Sequence, residues 1–135
     1  MKIRFAVAAL ALGSAAMMPS ALAEESLDGK GTVTAAYDAS AKKLNITIKG
    51  ASAGIYVNKD YPIKCTVKPK AGATVDKTEL KKDDATYEDA PNKPGKANKA
   101  TFSVGATGGA EGSCKMVVCT DSACSAPFSV NFASP

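Results

Sequence analysis

Six short segments of this chain alternate between apolar and polar residues, and a period of two leaves little room for anything but half-buried β-strands. "TVTAAYD" puts Val33, Ala35 and Tyr37 on one face, and "KLNITIK" puts Leu44, Ile46 and Ile48 opposite Asn45, Thr47 and Lys49. "PIKCTVK" sets Ile63, Cys65 and Val67 against Lys64, Thr66 and Lys68. "TFSV" offers Phe102 and Val104, "SCKMVV" offers Cys114, Met116 and Val118, and "FSVNF" offers Phe128, Val130 and Phe132. Helical periodicity is weak throughout. The segments are separated by "DASAKK", "KGASAG", "KPKAGA", "GATGGAEG" and "TDSA", all of turn composition. Six or seven short strands in one modest domain predict an all-β fold, an immunoglobulin-like antiparallel β-sandwich with two disulfides, with a small barrel as the alternative. The polar stretch 83–99 is too long for a tight turn and has room for one short edge strand.

The first 23 residues stand apart from this pattern. Lys2 and Arg4 precede an apolar run of 13 residues, "AVAALALGSAAMM", and "PSALA" ends in the small-x-small series Ala21-Leu22-Ala23. That is the layout of a secretory signal peptide over 1–23, cleaved before Glu24. The run is shorter than the roughly 20 residues of a spanning helix, so no membrane insertion of the mature chain is expected. Residues 24–135 then form a single exported β-sandwich domain, in the bacterial periplasm or outside the cell. Setting Lys2 and Arg4 aside lowers the formal charge from +4 to +2. The lysines that remain are interleaved with acids, as in "DKTELKKDDATYED", without an aromatic ladder, which argues against a nucleic-acid partner.

All four cysteines lie in the mature region, and an even count in an oxidising compartment favours two disulfides. Cys65 and Cys114 both fall on apolar faces, and their separation of 49 residues suits strands from opposite sheets bridged through the core. Cys119 is out of phase with Cys114, and a four-residue turn brings Cys124 back beside it. The expected pairs are Cys65–Cys114, a structural disulfide, and Cys119–Cys124, a hairpin disulfide. The first closes a long loop and stabilises by about 3–4 kcal/mol on the chain-entropy relation; the second contributes less. A zinc site would need closer C-x₂₋₄-C pairs, so no metal and no cofactor is expected. With no histidine in the chain, Ser/His and Cys/His mechanisms are excluded.

The order "GIYVNKDYPIKCTVKP", a variable polar loop, "KATFSV" and "SCKMVVCTDSACSAPFSVNF" resembles the N-terminal periplasmic domain of the thiol:disulfide interchange protein DsbD, and small stand-alone exported relatives of that domain. The resemblance implies an immunoglobulin-like sandwich whose exposed disulfide, here Cys119–Cys124, passes electrons to another periplasmic protein. It also implies a cap loop of acidic and aromatic residues over that disulfide, a place that Asp84 and Tyr87 of "DDATYED" would fill. After the second cysteine this chain has "SAP" where the family has an aromatic residue and two prolines. No histidine or neighbouring cation is legible that would activate a thiolate, and Asp121 inside the turn opposes one. The residues therefore favour a non-enzymatic exported module that binds a protein or envelope partner, with thiol–disulfide exchange at Cys119–Cys124 as the alternative. Tyr56 and Tyr61 are expected to pack at a sandwich end, Phe102, Phe128 and Phe132 in the core, and Lys93, Lys96 and Lys99 in solvent.

Overall fold

A computed structural model describes residues 26–135; the expected signal peptide, 1–23, lies outside them. The described chain is all-β, two packed antiparallel sheets with one 3₁₀ turn and no α-helix. Each alternating segment forms a strand: β1 Gly31–Asp38, β2 Lys43–Gly50, β4 Lys64–Pro69, β7 Lys96–Gly105, β8 Ala110–Met116 and β10 Phe128–Ala133. Four strands of two to four residues complete the set: β3 Tyr56–Asn58, β5 Glu79–Lys81, β6 Thr86–Asp89 and β9 Val118–Cys119. β6 is the edge strand for which the 83–99 stretch has room, and the others are too short to show a period.

The first sheet is organised around β7. Ala100 is paired with Ile48 of β2 on one side and Tyr87 of β6 on the other. Ala97 is likewise paired with both Val57 of β3 and Asp89 of β6, so β2 and β3 follow one another along one edge of β7. β1 pairs outside β2, and β9 outside β3. The second sheet runs β10-β8-β4-β5.

Local chemistry sets the β1–β2 turn. Asp38 Oδ1 accepts from the Ser40 amide at 3.0 Å, the Ser40 hydroxyl at 2.7 Å and the Ala41 amide at 3.2 Å, while Lys42 takes a left-handed φ of 54°. Such side-chain-to-backbone bonding favours a turn over a continued strand. The alternation then carries Leu44, Ile46, Ile48, Val57 and Phe102 inward from one sheet, where they meet Cys65, Val67, Leu80, Cys114 and Met116 from the other. Burying large aliphatic side chains of this kind contributes about 1.5–3 kcal/mol each.

The two expected disulfide pairings are present, and the position of the first differs from expectation. Cys65 and Cys114 are direct register partners on adjacent strands of one sheet, with Cα atoms 4.0 Å apart. The bridge joins β4 to β8 and does not span the two sheets. A sequence separation fits either arrangement, because it says nothing about which strands become neighbours.

The loss of alternation at residues 116–119 also has a physical cause. Met116 ends β8 in the second sheet and Val118 begins β9 in the first, with Val117 carrying the chain across. A chain that changes layers in one residue turns both faces inward, and all four residues from Met116 to Cys119 are buried.

Candidate functional site

The turn after β9 is built by its own polar residues. The Thr120 amide donates to the Ala123 carbonyl at 2.8 Å, and the Ala123 amide returns to the Thr120 hydroxyl at 3.3 Å. Below the turn, the Ser125 amide donates to the Val118 carbonyl at 2.8 Å and the Val118 amide to the Ser125 hydroxyl at 3.1 Å. Cys119 and Cys124 face each other as an antiparallel bridge, with Cα atoms 4.0 Å apart.

The two halves of this disulfide sit in different surroundings. Cys119 is 1 % exposed and pairs with Tyr56 of β3, whereas Cys124 lies on the exposed side of the turn. Both members of the Cys65–Cys114 pair are completely buried. Among the described disulfides, therefore, only Cys119–Cys124 presents a member to solvent.

A loop distant in sequence completes the hairpin end. Residues 90–95 fold tightly between β6 and β7, with left-handed φ at Asn92 (60°) and Gly95 (76°) and the Lys93 amide bonded to the Ala90 carbonyl at 3.2 Å. From that loop Lys93 bonds Asp121 at the hairpin tip, 2.5 Å from Nζ to Oδ1, and lies 5.4 Å from the centre of the Tyr56 ring. The Lys93 ammonium holds the Asp121 carboxyl below the usual aspartate range, and the Lys93 ammonium is raised in return. Lys59 makes a parallel pair, 2.6 Å from Asp89 and 5.6 Å from the Tyr87 ring. A cavity of about 370 Å³ opens between them, lined by Lys59, Asp89 and the 90–96 loop.

Asp84 and Tyr87 make their contacts elsewhere. Asp84 is bonded by Lys77 at 2.6 Å and accepts the Lys81 amide at 2.9 Å, tying the 3₁₀ turn Lys82–Asp84 to the end of β5. The Lys77 bond lowers its carboxyl pKa. Tyr87 of β6 lies opposite Ala100 of β7; its hydroxyl is buried without a hydrogen-bond partner among the described residues, and burial raises its pKa. Lys93 and Tyr56 reach the hairpin itself, while Asp28 accepts the Ala126 amide at 2.9 Å just beyond it. Composition places Lys93 among solvating lysines, and no spacing rule joins it to an aspartate 28 residues away. Among the expected core aromatics, Phe102 and Phe132 are buried and Phe128 is half-buried. Tyr61 packs against the core.

Among the described residues no three His, Cys, Asp or Glu side chains gather as a metal site, and no helix is long and apolar enough to cross a membrane. Two disulfides suit an oxidising compartment. The chain matches no protein-family model, no curated protein and no solved structure.

Proposed function

We propose that the chain is an exported, non-enzymatic β-sandwich module of immunoglobulin-like type that binds a protein partner in the bacterial periplasm, with both disulfides structural. The surface assigned to that partner is the hairpin end, where Tyr56, Lys93 and Asp121 come together from three separate segments. One observation carries the structural reading of the hairpin disulfide. Cys119, whose sulfur would leave if a thiol attacked at the exposed side, is 1 % exposed. A thiolate released there loses its hydration, which raises its pKa and makes it a poor leaving group. Lys93, the cation bonded at the hairpin tip, is committed to Asp121.

The exposure of Cys124 favours a second reading, thiol–disulfide exchange of the DsbD type. A partner thiolate would attack Cys124 Sγ, the S–S bond would break with its electron pair leaving on Cys119 Sγ, and a mixed disulfide would join Cys124 to the partner. The reduction potential of Cys119–Cys124, measured with Cys65–Cys114 intact, separates the two. A value below about −300 mV supports the structural reading, and a value between about −120 and −230 mV sinks it in favour of exchange.

A further inference from the structure

Among the described residues nothing covers the outer face of the sheet that does not contain the hairpin, and the register lines up like charges on it. Lys64 of β4 lies directly opposite Lys81 of β5 on one side and Lys115 of β8 on the other. All three are exposed, and adjacent strands sit about 4.8 Å apart, so the three positions form one cationic row roughly 10 Å long. Like charges at directly opposed positions destabilise a sheet. Glu79 offsets the first two, 3.6 Å from Lys64 and 3.4 Å from Lys81. Lys115 has no acidic partner within ion-pair distance among the described residues.

In the adjacent outward row, beyond Glu79 on β5, come Thr66, Ser113 and Asn131, again direct register partners. Their side chains make no hydrogen bond to protein among the described residues. They border a shallow depression of about 400 Å³ over β4, β8 and β10, whose lining also includes Lys68 and its register partner Glu111. Cations in one line, with uncommitted hydroxyls and an amide in the next, suit a ligand that carries both negative charges and hydroxyl groups. The outward positions of these four strands hold no aromatic or large aliphatic side chain, which removes the anchors a lipid surface requires and the stacking platforms a nucleic acid requires.

We infer that this face binds an anionic polysaccharide, a sugar chain bearing carboxylates or phosphates. Lys81, Lys64 and Lys115 pair with its charges, and Thr66, Ser113 and Asn131 hydrogen-bond its hydroxyls. The site lies outside the hairpin sheet and stands independently of what the hairpin end binds.

The test titrates residues 24–135 with a galacturonic acid hexamer by calorimetry at low and high salt, beside neutral dextran, inorganic polyphosphate and phosphatidylglycerol vesicles. Expected are binding to the hexamer that weakens at high salt, none to dextran, and at least a tenfold loss in K64Q/K81Q/K115Q. A further loss in T66A/N131A, with the salt dependence unchanged, completes the assignment. Lys115→Gln alone serves as the folding control, because removing the unpaired member of the row should leave stability equal or higher while weakening binding. Absence of hexamer binding overturns the proposal, as does a triple variant that binds undiminished. Equal binding of polyphosphate or vesicles with T66A/N131A indifferent also overturns it, since the face would then be a plain charged surface.

Discussion

Asp121 at the hairpin tip and Lys93 in the β6–β7 loop are joined across 2.5 Å, although 28 residues separate them in sequence. The bond lowers the Asp121 pKa from its ordinary value near 4. A carboxyl whose folded pKa is depressed stabilises the fold above its unfolded value, and that contribution is lost as pH falls through the folded value. The window lies below about pH 4. Because both groups face solvent, the effect on stability is small and weakens with salt. In an NMR titration Asp121 should titrate below ordinary aspartates, and Lys93→Gln should return it to the ordinary range. An unchanged Asp121 midpoint in that variant would show that the pair does not persist in solution.

Tyr87 combines a ring under Lys59 with a hydroxyl that is buried and has no hydrogen-bond partner among the described residues. An unsatisfied buried polar group costs about 1–3 kcal/mol, so Tyr87→Phe, which keeps the ring and removes the orphan, should raise stability by about 1 kcal/mol. Burial raises the phenol pKa in the fold. The wild type should therefore lose stability above about pH 10, where the unfolded phenol ionises first, and the Phe variant should lack that loss. Chemical denaturation at pH 7 and pH 11 checks both parts. A destabilised Phe variant would mean that the hydroxyl has a partner.

Gly112 lies between Val67 and Phe132 in the β4–β8–β10 ladder. A Cβ placed there would come 1.9 Å from the Thr66 carbonyl oxygen and 3.0 Å from the Phe132 ring. The first contact is with backbone and can be relieved only by opening the ladder. Gly112→Ala should cost about 3 kcal/mol or more and reduce amide protection in β4 and β8. Measured by denaturation and hydrogen exchange, a loss under about 1 kcal/mol would contradict the close approach.

These relationships were unequally legible in the sequence, for reasons that differ by residue. The inward faces of β1, β2, β4 and β10 follow from alternation, because a strand covered on one side must separate its residues that way. Both cysteine pairings followed too, but the choice between one sheet and two for Cys65 and Cys114 required the β4–β8 adjacency, a long-range fact. Val117, where the chain changes sheets, appears in the sequence only as a break in phase. Lys93 and Tyr56 are brought to the hairpin by two left-handed residues and a three-residue strand, features too short to carry a period. The lysine row is visible only once register is known, since Lys64, Lys81 and Lys115 belong to three different segments.

The two disulfides should differ in both leverage and access. Cys65–Cys114 closes a loop of 49 residues and Cys119–Cys124 one of five. On the chain-entropy relation the first contributes about 4 kcal/mol and the second about 2 kcal/mol. Alanine is the suitable replacement at the buried pair, because a serine hydroxyl there would lack a partner. Cys65→Ala/Cys114→Ala should therefore cost more than Cys119→Ala/Cys124→Ala, as read from denaturation midpoints. Access points the opposite way. Cys124 is exposed, while Cys65 and Cys114 are fully buried. Under limiting reductant with trapping by alkylation, label should appear at Cys119 and Cys124 first, and at the core pair only with global unfolding. Simultaneous labelling of all four cysteines in the native state would refute this ordering and the difference in access between the two bonds.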